Sequence, residues 1–236
     1  MRVGLNTFSS NYSENNISKT IEIFRSYFNI NFGNLSFSAR SIRLDKYLVK
    51  RIRDLRDNKC ILRGGICNKI ETGGIIECNI SGECSIISIQ NGEGDTINIF
   101  SENINNILFH THPNAYGIWN KASPPSEFDI YNSFEYATQG INKINLIWDA
   151  EGIYIYYIYP GIVKQLEGLN IQKYRDELIN ILRWTKMGFG FYYKNRDYAS
   201  QYSSFSQYRN LLKTCGIYVD YKTYDKKIKF LIPKYN

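Results

Sequence analysis

At Cys60 the chain changes rhythm, and that change constrains its fold more than any other feature. Before it, apolar residues recur at helical spacing. Ile17, Ile21, Phe24 and Phe28 step by four, three and four. Over 41–57, Leu44, Leu48, Ile52 and Leu55 line one helical face, while Lys46, Lys50, Arg53 and Arg56 cover the others. After it, short β-branched runs at 61–67, 73–80, 84–90, 96–100 and 106–112 are punctuated by Gly, Asn and Asp. Asn91-Gly92-Glu93-Gly94-Asp95 reads as a hairpin connection. A helix is predicted over 127–138, ended by Gln139-Gly140, followed by strands over 143–148 and 153–159. A helix from Ile171 to near Gly188, a short helix around 206–214 and a closing hairpin, 217–221 with 227–232, complete the order. This is an α+β plan, a mixed β-sheet flanked by helices.

The chain of 236 residues, 43% hydrophobic and 15% aromatic, can bury a full core, which excludes wholesale disorder. It contains no run of about 18 apolar residues, so no membrane span is expected. Residues 1–7 lack the apolar stretch of a secretory signal. The five cysteines are an odd number without a C-x-x-C pair, which predicts buried thiols in a reducing, cytoplasmic setting. The net charge of +7 is uneven: +6 over 1–59, −7 over 60–160 and +8 over 161–236. Basic flanks suit a polyanionic partner, or a solvated surface, or docking against the acidic middle.

That acidic middle holds both histidines of the chain, in Phe109-His110-Thr111-His112-Pro113. On a strand, residues i and i+2 face the same side, so both imidazoles can tilt onto one ion, and Pro113 ends the strand beside them. Downstream lies Ser126-Glu127-Phe128-Asp129. Two imidazoles and one carboxylate make a three-ligand zinc site whose fourth position is open to water, the arrangement of a hydrolytic zinc. Each half has a plainer reading. His-x-His alone is more often surface or core histidine, and Ser-x-x-Asp alone is a helix capping box. The readings part on whether Asp129 turns toward the histidines.

Taken together, His110-Thr111-His112-Pro113 and Ser126-x-x-Asp129 at a helix start resemble the metal-binding signature of the JAMM (MPN+) metalloprotease family. That family adds a glutamate on an earlier strand, commonly with a glycine three residues on. Glu71-Thr72-Gly73-Gly74-Ile75-Ile76 fits this context, whereas Glu77 and Glu83 lack the glycine and Glu102 lies too near the histidine strand. The order of elements over roughly 40–185 is similar as well. One departure stands out: thirteen residues separate His112 from Ser126, where the family has about seven. The longer loop carries Tyr116, Trp119 and Lys121.

The resemblance implies a JAMM/MPN-like domain over 41–186, with a cytidine-deaminase-like core, an N-terminal extension over 1–40 and a basic, Tyr-rich extension over 187–236. It implies Zn2+ held by His110, His112 and Asp129, with Glu71 as general base and then acid. Ser126 would donate to the oxyanion of the tetrahedral intermediate. The activity implied is isopeptide or peptide hydrolysis, on ubiquitin or ubiquitin-like conjugates whose extended tail lies along a sheet edge, with or without a partner subunit. Two rivals remain: a catalytically silent scaffold of the same fold, and a nucleic-acid-associated protein. The latter rests on the basic flanks and on aromatic residues interleaved with Lys and Arg over 189–208.

Overall fold

A computed structural model describes residues 37–58, 60–63, 66–93, 106–112, 124–149, 152–176, 212–225 and 227–233, with scattered positions in 21–35, 97–103, 178–179 and 206–210. Ten strands and three α-helices have both ends defined among these residues. They are β1 (Ala39–Arg43), α1 (Lys46–Asn58), β2 (Cys60–Arg63), β3 (Ile66–Lys69), β4 (Thr72–Cys78), β5 (Cys84–Asn91), β6 (Ile107–Thr111), α2 (Glu127–Thr138), β7 (Ile144–Trp148), β8 (Gly152–Ile158), α3 (Pro160–Leu166), β9 (Ile217–Thr223) and β10 (Lys229–Pro233). The centre is a mixed six-stranded sheet in the order β5-β4-β6-β7-β8-β9, so the mixed α+β plan holds. Its one parallel pair, β6 with β7, requires a crossover, and α2 lies in that connection.

Both faces of the sheet are covered, which explains why β6, β7 and β8 are buried at every position. Alternation sorts their side chains. Phe109, Leu146, Trp148, Ile153, Ile155 and Tyr157 pack with Leu48, Val49 and Ile52 of α1. Ile147, Tyr154, Tyr156 and Ile158 pack with Ile130, Tyr131 and Phe134 of α2 and Ile162 of α3. The long side chains of β8, which hide its faces in the sequence, are simply buried on both. Gly74 marks the tightest approach: a Cβ there would fall on the Ser88 carbonyl oxygen and lie 2.9 Å from the Phe109 ring.

Several expectations need correction. The predicted helix over 41–57 begins later, because residues 39–43 form β1, paired with β10. Asp45 stops the helix from starting earlier: its carboxylate accepts the Leu48 N–H at 2.7 Å, an N-cap bond. The single strand expected over 61–67 is two, β2 and β3, paired antiparallel. The closing hairpin is not one, since β9 extends the main sheet beside β8 while β10 pairs with β1. Helix α3 was not foreseen; Pro160-Gly161 looks like a turn, yet proline suits the first helical turn, where it stands. The predicted helix from Ile171 opens as a 3-10 turn, Ile171–Tyr174. Residues 180–205, 1–20 and most of the strand expected at 96–100 lie outside the described residues.

The cysteine expectation also changes. Cys78 and Cys84 face each other in the β4–β5 register and are disulfide-bonded, across a turn where Gly82 takes a positive φ of 83°. Cys215 remains a buried thiol, pushed up to about 12 by burial. No helix among the described residues is long and apolar enough to cross a membrane.

Candidate metal centre

His110 and His112 stand at the carboxyl end of β6, next to its parallel neighbour β7. Their strand is held on both sides: Gly73 of β4 registers with His110, and Ile147 of β7 lies opposite on the other edge. The His112 N–H donates to the Trp148 carbonyl at 2.8 Å, which continues the β6–β7 ladder past Thr111. Thr111 points to the other face and is fully buried, its Oγ1 accepting the Thr72 N–H at 3.0 Å.

Asp129 arrives from the start of α2 and answers the question that the sequence left open: it serves both readings at once. Its N–H donates to Ser126 Oγ at 3.1 Å, and its Oδ2 accepts the Ser126 N–H at 2.6 Å, a complete capping box. The same carboxylate faces the imidazoles, with Oδ1 3.3 Å from His110 Nε2 and Oδ2 3.7 Å from His112 Nε2. The two Nε2 atoms are 3.2 Å apart. The cap fixes the backbone of Asp129, and the fixed backbone aims its side chain.

These separations have a chemical meaning. Ligand atoms about 2.0–2.1 Å from a tetrahedral zinc sit about 3.3 Å from each other. Two imidazole lone pairs at 3.2 Å repel unless something positive lies between them, either a proton on one ring or a cation. His110, His112 and Asp129 offer one ligand atom each within 4.8 Å of one another, so the group could hold a metal ion. All three are nearly buried. Burial pulls the His110 pKa down, but the negative charges of Asp129 and Glu71 outweigh it, and the net shift is upward. For Asp129, burial pushes upward and is overcome by His110, His112 and the Ser126 hydrogen bond, which hold it below the usual carboxylate range.

Glu71 precedes β4 by one residue, and its carbonyl accepts the Gly92 N–H at 2.8 Å. Because Gly73 registers with His110 in an antiparallel pair, continuing the register brings Glu71 opposite His112 on the same face. Its charge reaches His110, as the raised pKa records. Glu71 thus lies beside the three-ligand group without belonging to it. Ser126 Oγ, already accepting one N–H, keeps its own proton to donate. The loop over 113–123, including Pro113, Tyr116, Trp119 and Lys121, lies outside the described residues.

No protein-family model matches the chain, and neither a curated protein nor a solved structure matches it. The chemistry of the site therefore rests on its own geometry.

One supporting feature escaped sequence reasoning. Asn145, buried in β7, donates to Ser133 Oγ at 3.1 Å, and Ser133 donates to the Asp129 carbonyl at 3.2 Å. This chain ties α2 to the sheet directly behind the carboxylate. Its signal was available, since Asn145 is the one polar residue in the apolar run Ile144–Trp148.

Proposed function

We propose that this protein is a zinc-dependent isopeptidase or peptidase of the JAMM type, acting on ubiquitin or ubiquitin-like conjugates. The observation that carries the reading is the convergence of His110, His112 and Asp129 from a strand end and a helix start, at 3.2 to 3.7 Å. Bound there, zinc would polarise a carbonyl and lower the pKa of a coordinated water to about 7. Glu71, beside His112, takes the proton from the attacking water and returns it to the leaving amine. The Ser126 hydroxyl, at the N-terminus of α2, donates to the oxygen that gains charge when the carbonyl is attacked. β5 is the outer strand next to the β4 edge that carries Glu71, and a modifier's extended tail would add to it as a further strand.

Metal analysis of the purified protein, paired with a di-ubiquitin cleavage assay, tests the reading. About one zinc per chain is expected, with Glu71→Gln retaining the metal and losing about 10²–10⁴ in rate. A protein without zinc whose cleavage activity is nil, or unchanged by Glu71→Gln, would overturn it.

A further inference from the structure

Beside α1, on the opposite side of the sheet from the histidines, lies a cavity of about 1030 Å3. Its walls come from the end of β1, the first half of α1, the β4–β5 turn and the loop between β9 and β10. Five cations line it: Arg43, Lys46, Lys50, Arg53 and Lys227. Among the described residues, none of Arg43, Lys46, Lys50 and Lys227 forms an ion pair. Three acids share the wall: Asp45, which caps α1, Glu83, which accepts from the Asn79 side chain at 2.9 Å, and Asp225. Five cations against three acids leave the lining with a net positive charge of +2. Like charges at i and i+4, as in Lys46 and Lys50, repel each other. A concave, low-dielectric wall focuses their field outward onto an anion.

The arrangement of the charges selects the anion. Lys46, Lys50 and Arg53 share one helical face, at rises of about 6 and about 4.5 Å along α1. A single phosphate cannot span that row, whereas successive phosphates of an extended strand can. Aromatic rings accompany the cations. In the wall, the Tyr224 ring is already covered by the Arg53 guanidinium, 4.4 Å above it, whereas Tyr47, just outside the wall beside Lys46 on α1, is 75% exposed and open to stacking. Cations that track a backbone, with rings on which bases stack, are the ingredients of single-strand binding without sequence preference.

We propose that this cavity and the cationic face of α1 bind the phosphodiester backbone of a single-stranded nucleic acid. The site is independent of the metal centre, from which the sheet separates it.

Fluorescence anisotropy of a labelled oligothymidylate, titrated with the full-length protein over a range of NaCl concentrations, tests this. Five contacting cations predict a slope of log K against log salt of about −3.5. The double variant Lys46→Glu/Lys50→Glu should weaken binding at least about tenfold at low salt, while bound metal and far-UV circular dichroism stay unchanged. Arg43→Ala and Lys227→Ala, which keep the fold with least disturbance, should each reduce the slope by about 0.7. Tyr47→Ala should weaken binding with the slope unchanged, as loss of stacking requires. Binding that ignores all these substitutions, or that lacks salt dependence, would overturn the proposal. So would displacement of the oligonucleotide by ATP or pyrophosphate at matched concentration, which would assign the cavity to a small phosphorylated ligand. Equal displacement by polyglutamate would assign it to an acidic protein and overturn it too.

Discussion

Ser126 has a structural role, as N-cap, and a proposed catalytic one, and a single substitution can separate them. As N-cap it stabilises α2, and replacement by glycine costs only a few tenths of a kcal/mol, because glycine is itself a tolerated cap. As oxyanion donor it would be worth about 10²–10³ in kcat. Ser126→Gly should therefore leave the melting temperature nearly in place and lower kcat by that factor, with KM little changed. A melting temperature that falls while kcat holds would restrict Ser126 to the cap. Lys143 offers a second residue-scale prediction. It is 2% exposed, its Nζ donates to the Asn103 carbonyl at 2.6 Å, and burial pushes its pKa down to about 8. Between pH 8 and its ordinary value near 10.5, the unfolded chain binds that proton and the folded protein releases it, so this group makes stability rise with pH. Above pH 9 the buried Cys215 thiol acts oppositely, because the unfolded chain loses its proton first. Urea midpoints should accordingly rise from pH 8 to 9 and then flatten, and Lys143→Met should abolish the rise.

At the scale of elements, α2 and β4 matter most, because each brings one partner to the histidines. The helix was legible in the sequence: its capping box and its stop at Gln139-Gly140, where Gly140 has a φ of 72°, are local signals. β4 was legible as a strand, but its register was not. That register, Gly73 against His110, is what brings Glu71 beside His112. Gly74 permits it, since β5 and Phe109 approach its backbone from both sides. Gly74→Ala should destabilise the protein by about 1–3 kcal/mol through overpacking, measured by denaturant unfolding. It should also lower the metal content of the purified protein by displacing Phe109, whose ring would lie 2.9 Å from the new Cβ and which immediately precedes His110. The helix expected over 41–57 starts later for one local and one distant reason. Leu44 continues the helical spacing, but Asp45 caps the helix after it and the preceding five residues find a strand partner nearly two hundred positions away.

Across the whole molecule, the C-terminal segment is structural. β9 covers the edge of β8, and Ile217, Val219, Ile228, Phe230 and Ile232 belong to the two cores. A chain ending at residue 186 should lose cooperative thermal unfolding, as seen by circular dichroism and a broadened amide NMR spectrum. If it unfolded as sharply as the full chain, the tail would be a true appendage. Residues 21–30 contribute likewise: Ile21, Phe28 and Ile30 pack into the same core as α2, and Arg25 donates to the Thr214 carbonyl at 2.7 Å. What the sequence determined by itself was local chemistry: the element types set by periodicity, the caps and turns, and the two imidazoles placed at a strand end with a carboxylate at a helix start. Tertiary structure alone decided which of these meet. The aim of Asp129, the neighbour of Glu71, the Cys78–Cys84 bond and the separate partners of β9 and β10 depend on strand register and layer order. Those follow from burying both faces of one sheet at once, a condition that no short stretch of residues can express.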